Sequence, residues 1–182
     1  MRARRIRALR DELINDLALD RDATTADVCA RLCQVMADRI REEIQLRFEP
    51  LGDGVSGVWA RSADRKNLIL VTTAHSWMHR LHILCHELAH MLCGHTATEL
   101  STDEARRFFY PDLPDEMFTI LASRTTLNAR EEQEADQVAV ELLKGLFAWA
   151  SKQDIPAFRP AADDDLAMPW YTLGFTPRDL HE

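Results

Sequence analysis

The sequence has no long hydrophobic run. Its longest apolar stretches, such as Leu68-Ile69-Leu70-Val71, fall far short of the roughly 20 residues a helix needs to cross a bilayer. A signal h-region is missing as well: five arginines lie in the first ten residues, but Asp11, Glu12, Asp16 and Asp20 break up the stretch after them, so secretion is not expected. Cysteine is sparse, and Cys29, Cys33, Cys85 and Cys93 form neither a CxxC pair nor a dense framework. That usage fits free thiols in a reducing cytoplasm. No internal repeat or low-complexity tract is visible. A clustered basic surface of the kind that neutralises phosphates is also absent: residues 1–98 carry 14 basic and 13 acidic groups, residues 99–182 carry 8 and 17, and the whole chain is at −8. The arginines of residues 2–10 read as a solvated helix face, so direct nucleic-acid binding is not expected.

What is present is an ordinary globular balance, 46% apolar and 29% charged in 182 residues, enough for one domain with one core. We assign residues 1–153 to that domain and 154–182 to a tail. The tail holds four of the seven prolines and the acid run Asp163-Asp164-Asp165. Trp170, Tyr171 and Phe175 point to docking of that tail against the domain, since aromatic side chains are scarce in disordered segments.

Ile6, Leu9, Leu13 and Leu17 recur at helical spacing within residues 1–22. A second helix follows Thr24, a suitable N-cap, with Val28, Leu32, Val35, Met36 and Ile40 as its stripe. The period then becomes two. Ile44, Leu46 and Phe48 alternate with polar residues, and Val55–Ala60 and Asn67–Thr72 offer two more short strands, together predicting a small antiparallel three-stranded sheet. Residues 76–93 read as a helix ended by Gly94, and Ser101-Thr102-Asp103-Glu104 as a capping box for a short helix that Pro111 ends. Asn128 opens a long helix to about Ser151, on which Ala135, Val138, Ala139, Leu142, Leu143 and Leu146 share one face. Trp59, Trp77 and Trp149 are most simply core. The fold class is α+β and mainly helical.

Six of the seven histidines fall between positions 75 and 95. Among them His86-Glu87-Leu88-Ala89-His90 forms an HExxH on a predicted helix. The i, i+4 spacing puts both imidazoles on one face, where they can reach one Zn²⁺. Glu87 is then placed to take a proton from the water that a catalytic zinc keeps in its open position.

A third ligand is sought on the long helix, in Glu131-Glu132-Gln133-Glu134-Ala135-Asp136. Glu131 and Glu132 extend the buried stripe, whereas Glu134 points off it, at about 100° per residue. Glu131 is already useful as a cap at N3, which favours Glu132 as ligand. Asp136, one turn on, is placed to accept the outer N–H of a ligating histidine.

His75, His79 and His82 project near His86 and read as polar residues at the mouth of the cleft. His95, past Gly94, and Tyr110 are alternative oxyanion donors. Cys93, one turn after His90, could bind zinc as thiolate, although a buried free thiol is its default state.

The strings His86–His90, Gly94-His95 and Glu132-Gln133-Glu134-Ala135-Asp136, in that order after a small sheet, resemble the ImmA/IrrE-type zinc metallopeptidases over roughly residues 25–150. The resemblance implies a zincin-like domain with one zinc per chain. It implies His86, His90 and Glu132 as ligands and Glu87 as base. It also implies site-specific cleavage of a helix-turn-helix repressor that controls stress, phage or mobile-element genes. Leu142-Leu143-Lys144-Gly145 departs from the Leu-Leu-Met-Pro common in that family, and no DNA-binding module is evident. The competing expectation is a non-proteolytic regulatory or toxin-like protein with a structural zinc, for which retention of a base next to the first ligand would serve no purpose.

Overall fold

Helix α1 (Ala3–Asn15) buries Ile6, Leu13 and Ile14. Helix α2 (Thr25–Ile40) begins at Thr24, whose hydroxyl accepts from Asp27 N–H at 3.2 Å while the Asp27 carboxylate accepts from Thr24 N–H at 2.8 Å. This reciprocal cap satisfies two of the amides that every helix start leaves open. In this computed structural model, residues 3–20, 22–51, 55–101, 103–104 and 129–153 are described. The expectations for Tyr110, for a helix ended by Pro111 and for the tail from 154 onward lie outside them.

Among the described residues, three further strands and two further helices join β1 (Ile44–Glu49) in an α+β fold: β2 (Gly57–Ser62), β3 (Asn67–Thr72), α3 (Trp77–Cys93), β4 (Thr98–Leu100) and α4 (Ala129–Gln153). The sheet differs from the antiparallel three-stranded one expected from sequence. Among the described residues it has four strands in the order β1-β3-β2-β4; the β2–β3 pair is antiparallel, whereas β1–β3 and β2–β4 are parallel. The cause lies in β3, every residue of which is buried. An apolar run covered on both faces belongs inside a sheet, so β3 inserts between β1 and β2 and leaves β1, half-buried along its whole length, at one edge. Strand β4 has three residues, too few for any period to register in the sequence.

A polar cluster fixes the hairpin to the end of α2. Glu42 accepts from Asn67 Nδ2 at 3.0 Å and from Arg61 at 2.6 Å, and Trp59 Nε1 donates to Asn67 Oδ1 at 3.1 Å. Trp77 corrects the core assignment: it is 42% exposed, edge-on to Phe48 at 5.1 Å with the Arg80 guanidinium 4.7 Å over its ring. Trp77 shares the helical face of the buried Leu81, Leu84 and Leu88 but stands one turn before the first of them, at the helix start, where its neighbour is Phe48 of the edge strand β1.

The core is formed where α3 packs on β2 and β3, with α4 against α3 and α2 alongside. Helix α4 contributes Ala135, Val138, Ala139, Leu142, Leu143 and Leu146. On its far side α1 crosses at Gly145, where a Cβ would collide with Ile14 and Arg10. Gly145 therefore permits this close crossing. No helix among the described residues is long and apolar enough to cross a membrane. Ser101 and Glu104 form the expected cap, with Glu104 accepting from Ser101 N–H at 2.9 Å and Ser101 Oγ accepting from Glu104 N–H at 3.3 Å.

Candidate metal centre

Helix α3 starts at Ser76, whose side chain accepts from His79 N–H, and ends at Gly94, which adopts the left-handed conformation (φ 74°). Two hydrogen bonds close that end: Gly94 N–H to Met91 O at 3.2 Å and His95 N–H to His90 O at 3.0 Å. This is the Schellman pattern, which folds the residue after the glycine back over the last turn. It accordingly returns the His95 ring to His90, with centroids 5.0 Å apart.

On the same helix His86 Nε2 and His90 Nε2 face each other at 2.9 Å. From α4, Glu132 brings Oε2 to 3.3 Å of His86 Nε2 and Oε1 to 3.7 Å of His90 Nε2. One donor atom from each of the three lies within 4.8 Å of the others, so the group could hold a metal ion. Asp136 Oδ1 lies 2.9 Å from His86 Nδ1. A carboxylate there takes the Nδ1–H and leaves Nε2 with a bare lone pair aimed at two other Lewis bases, an arrangement that a shared cation relieves. Two imidazoles and one carboxylate also match a catalytic donor set.

Glu87 points from α3 to the sheet. It is 7% exposed, and Gly57 of β2 lies so close that a Cβ there would stand 2.6 Å from Glu87 Oε1 and 2.5 Å from Ile83 Cγ2. Burial and then the nearby Glu132 carboxylate raise its pKa from 4.5 to about 8, against a hydrogen bond from the Trp59 backbone N–H. Gly57→Ala should therefore displace the Glu87 carboxylate and cost about 1–3 kcal/mol through overpacking, which thermal unfolding would register. An unchanged melting temperature would mean that β2 does not press on Glu87.

His82 is pushed down to about 4 by burial and then by His79 and His86, and His90 to about 4 by burial and then by His86 and His95. Both are neutral at pH 7. In metal-free protein the two histidines add stability as pH rises from about 4 to 6.5, because the unfolded chain binds their protons more tightly. Glu87 acts the other way, since the folded chain holds its proton up to about pH 8. Between pH 7 and 8 the chelated wild type should lose roughly 1 kcal/mol relative to Glu87→Gln. Parallel stability curves from denaturant titrations would contradict this assignment.

The structure brings His86, His90, Glu132, Glu87, Asp136 and His95 together. His75, His79 and His82 form a row leading to them: His75 stacks on His79 at 4.1 Å, and His82 follows at 6.2 Å. Glu131 does not join, and Glu134 points elsewhere, its Oε2 3.4 Å from His95 Nε2. Cys93 stands with His95 and Glu134 in a second group that could hold a metal. Neither the Glu134–His95 pair nor the Gly57 contact is among the expectations from sequence. The Gly94-His95 dipeptide is the available signal for the first, because a left-handed residue at a helix end turns the next side chain back. Comparison with family models, with curated proteins and with solved structures finds no match.

Proposed function

We propose that the chain is a zinc-dependent peptidase. One observation carries the reading: two imidazole Nε2 atoms 2.9 Å apart converge with the Glu132 carboxylate beside a buried glutamate. His86, His90 and Glu132 would hold the ion, which supplies Lewis acidity to water and to a peptide carbonyl. Glu87 accepts the proton of the attacking water on a carboxylate oxygen as the new C–O bond forms. It then delivers that proton to the departing nitrogen as the C–N bond breaks. The Glu87 pKa of about 8 belongs to the metal-free chain; a cation held by His86, His90 and Glu132 would favour the ionised carboxylate that a base needs. Asp136 orients His86. The zincin-like and ImmA/IrrE-type assignment rests on the motifs, on their order along the chain and on the α3–α4 arrangement.

A structural zinc in a non-proteolytic protein is the weaker reading. Burying the Glu87 carboxylate against Glu132 destabilises the fold, and a purely structural site gains nothing from it. For the substrate we propose an extended basic segment of a helix-turn-helix repressor, attracted by residues 99–182, at −9. Cytoplasmic location accords with four free cysteines. Incubating the zinc-loaded protein with a helix-turn-helix protein encoded beside it should give two discrete fragments, abolished by chelator. A repressor that binds and stays intact while an unrelated peptide is cut would remove the repressor and leave the peptidase.

A further inference from the structure

The His95 side chain is 6% exposed, and both its ring nitrogens meet partners: Nδ1 lies 2.8 Å from His90 Nδ1 and Nε2 lies 3.4 Å from Glu134 Oε2. A neutral imidazole carries one N–H and one lone pair, so these contacts allow two arrangements. In one, His95 Nδ1–H donates to His90 Nδ1. The His90 proton then sits on Nε2 and fills the place where a metal would bind, while the bare His95 Nε2 faces a carboxylate, acceptor against acceptor. In the other, His95 Nε2–H donates to Glu134, its Nδ1 accepts from His90 Nδ1–H, and His90 Nε2 is bare. The second is favoured, because there His95 Nε2 presents a proton, and not a lone pair, to the Glu134 carboxylate 3.4 Å away.

We propose that Glu134 and His95 form a hydrogen-bonded relay that holds His90 in its metal-competent tautomer, so that both are positioning residues for the centre. The inference rests on the reading of His86, His90 and Glu132 as the metal ligands. It gives the two ligating histidines separate supports: Asp136 for His86, from one turn of α4, and Glu134 through His95 for His90. It also bears on the group Cys93, His95 and Glu134. A metal on His95 Nε2 would force its proton onto Nδ1 and return His90 to the incompetent tautomer, so the two groups cannot both be filled by neutral histidines.

The test is zinc affinity, measured with Zn²⁺ alone by competition against a chromogenic chelator, together with the visible spectrum of the Co²⁺-substituted protein. His95→Ala should weaken binding by about 10–100-fold, the usual loss for such supports, and change the cobalt bands. His95→Asn, whose amide oxygen can accept from His90 Nδ1–H, should recover most of the affinity. His95→Leu fills the space without an acceptor and should behave as Ala, replacing it if that variant does not fold. Glu134→Gln should fall between Asn and Ala. Affinity of His95→Ala or His95→Leu equal to wild type overturns the relay, as does an Asn variant no better than Leu. Two zinc ions per wild-type chain, falling to one in Cys93→Ser, would also overturn it and assign His95 to a second metal. A wild-type chain that binds no zinc would instead overturn the peptidase reading itself.

Discussion

Glu87→Gln should retain zinc at the wild-type level and lose peptide hydrolysis by about 10²-fold or more, the loss expected when a general base is removed. The amide keeps the shape of the side chain and can still accept the backbone N–H of Trp59. It cannot take a proton from water. Because the carboxylate is buried and lies near Glu132, its replacement by a neutral group should raise the thermal stability of the metal-free chain while activity falls. That opposite movement separates loss of a base from loss of fold. Hydrolysis undiminished in Glu87→Gln would mean that another group acts as base.

The ligand variants should show the largest change in metal content. His86→Ala, His90→Ala and Glu132→Ala each leave two donors where catalytic zinc sites use three. Each should therefore lose stable binding, by more than the roughly 10–100-fold expected for a supporting residue. Glu131→Ala is the internal control, since Glu131 is not among the converging donors and its loss should leave zinc content unchanged. Full zinc occupancy in both histidine variants would sink the site. Loss in Glu131→Ala with retention in Glu132→Ala would move the ligand by one residue.

How much of the fold is legible in the sequence varies with the range of the interactions involved. Helix α3 can be read at both ends because Ser76 and Gly94 act locally, as can the start of α2 at Thr24. The face of α4 follows from helical spacing alone. Sheet order does not, because pairing depends on which strand is buried from both sides. The run Leu68–Val71 carries that information only once its partners are known. Glu134 points off the buried stripe of α4, and accordingly it does not join His86 and His90. Its contact with His95 is hidden in the sequence because His95 arrives from beyond the helix end, through a turn whose direction depends on Gly94. Trp77 escapes the core expectation for a related reason: it lies on the buried face of α3 but in its first turn, and hydrophobicity does not tell how far along a helix the core extends.

X-ray absorption at the zinc edge of the loaded wild-type protein distinguishes, in one experiment, the two donor groups found among the described residues. Coordination by His86, His90 and Glu132 predicts a shell of nitrogen and oxygen scatterers at about 2.0–2.2 Å with imidazole outer-shell features and no sulfur. A sulfur scatterer at about 2.3 Å would place the metal with Cys93, His95 and Glu134 and contradict the assignment of His86, His90 and Glu132.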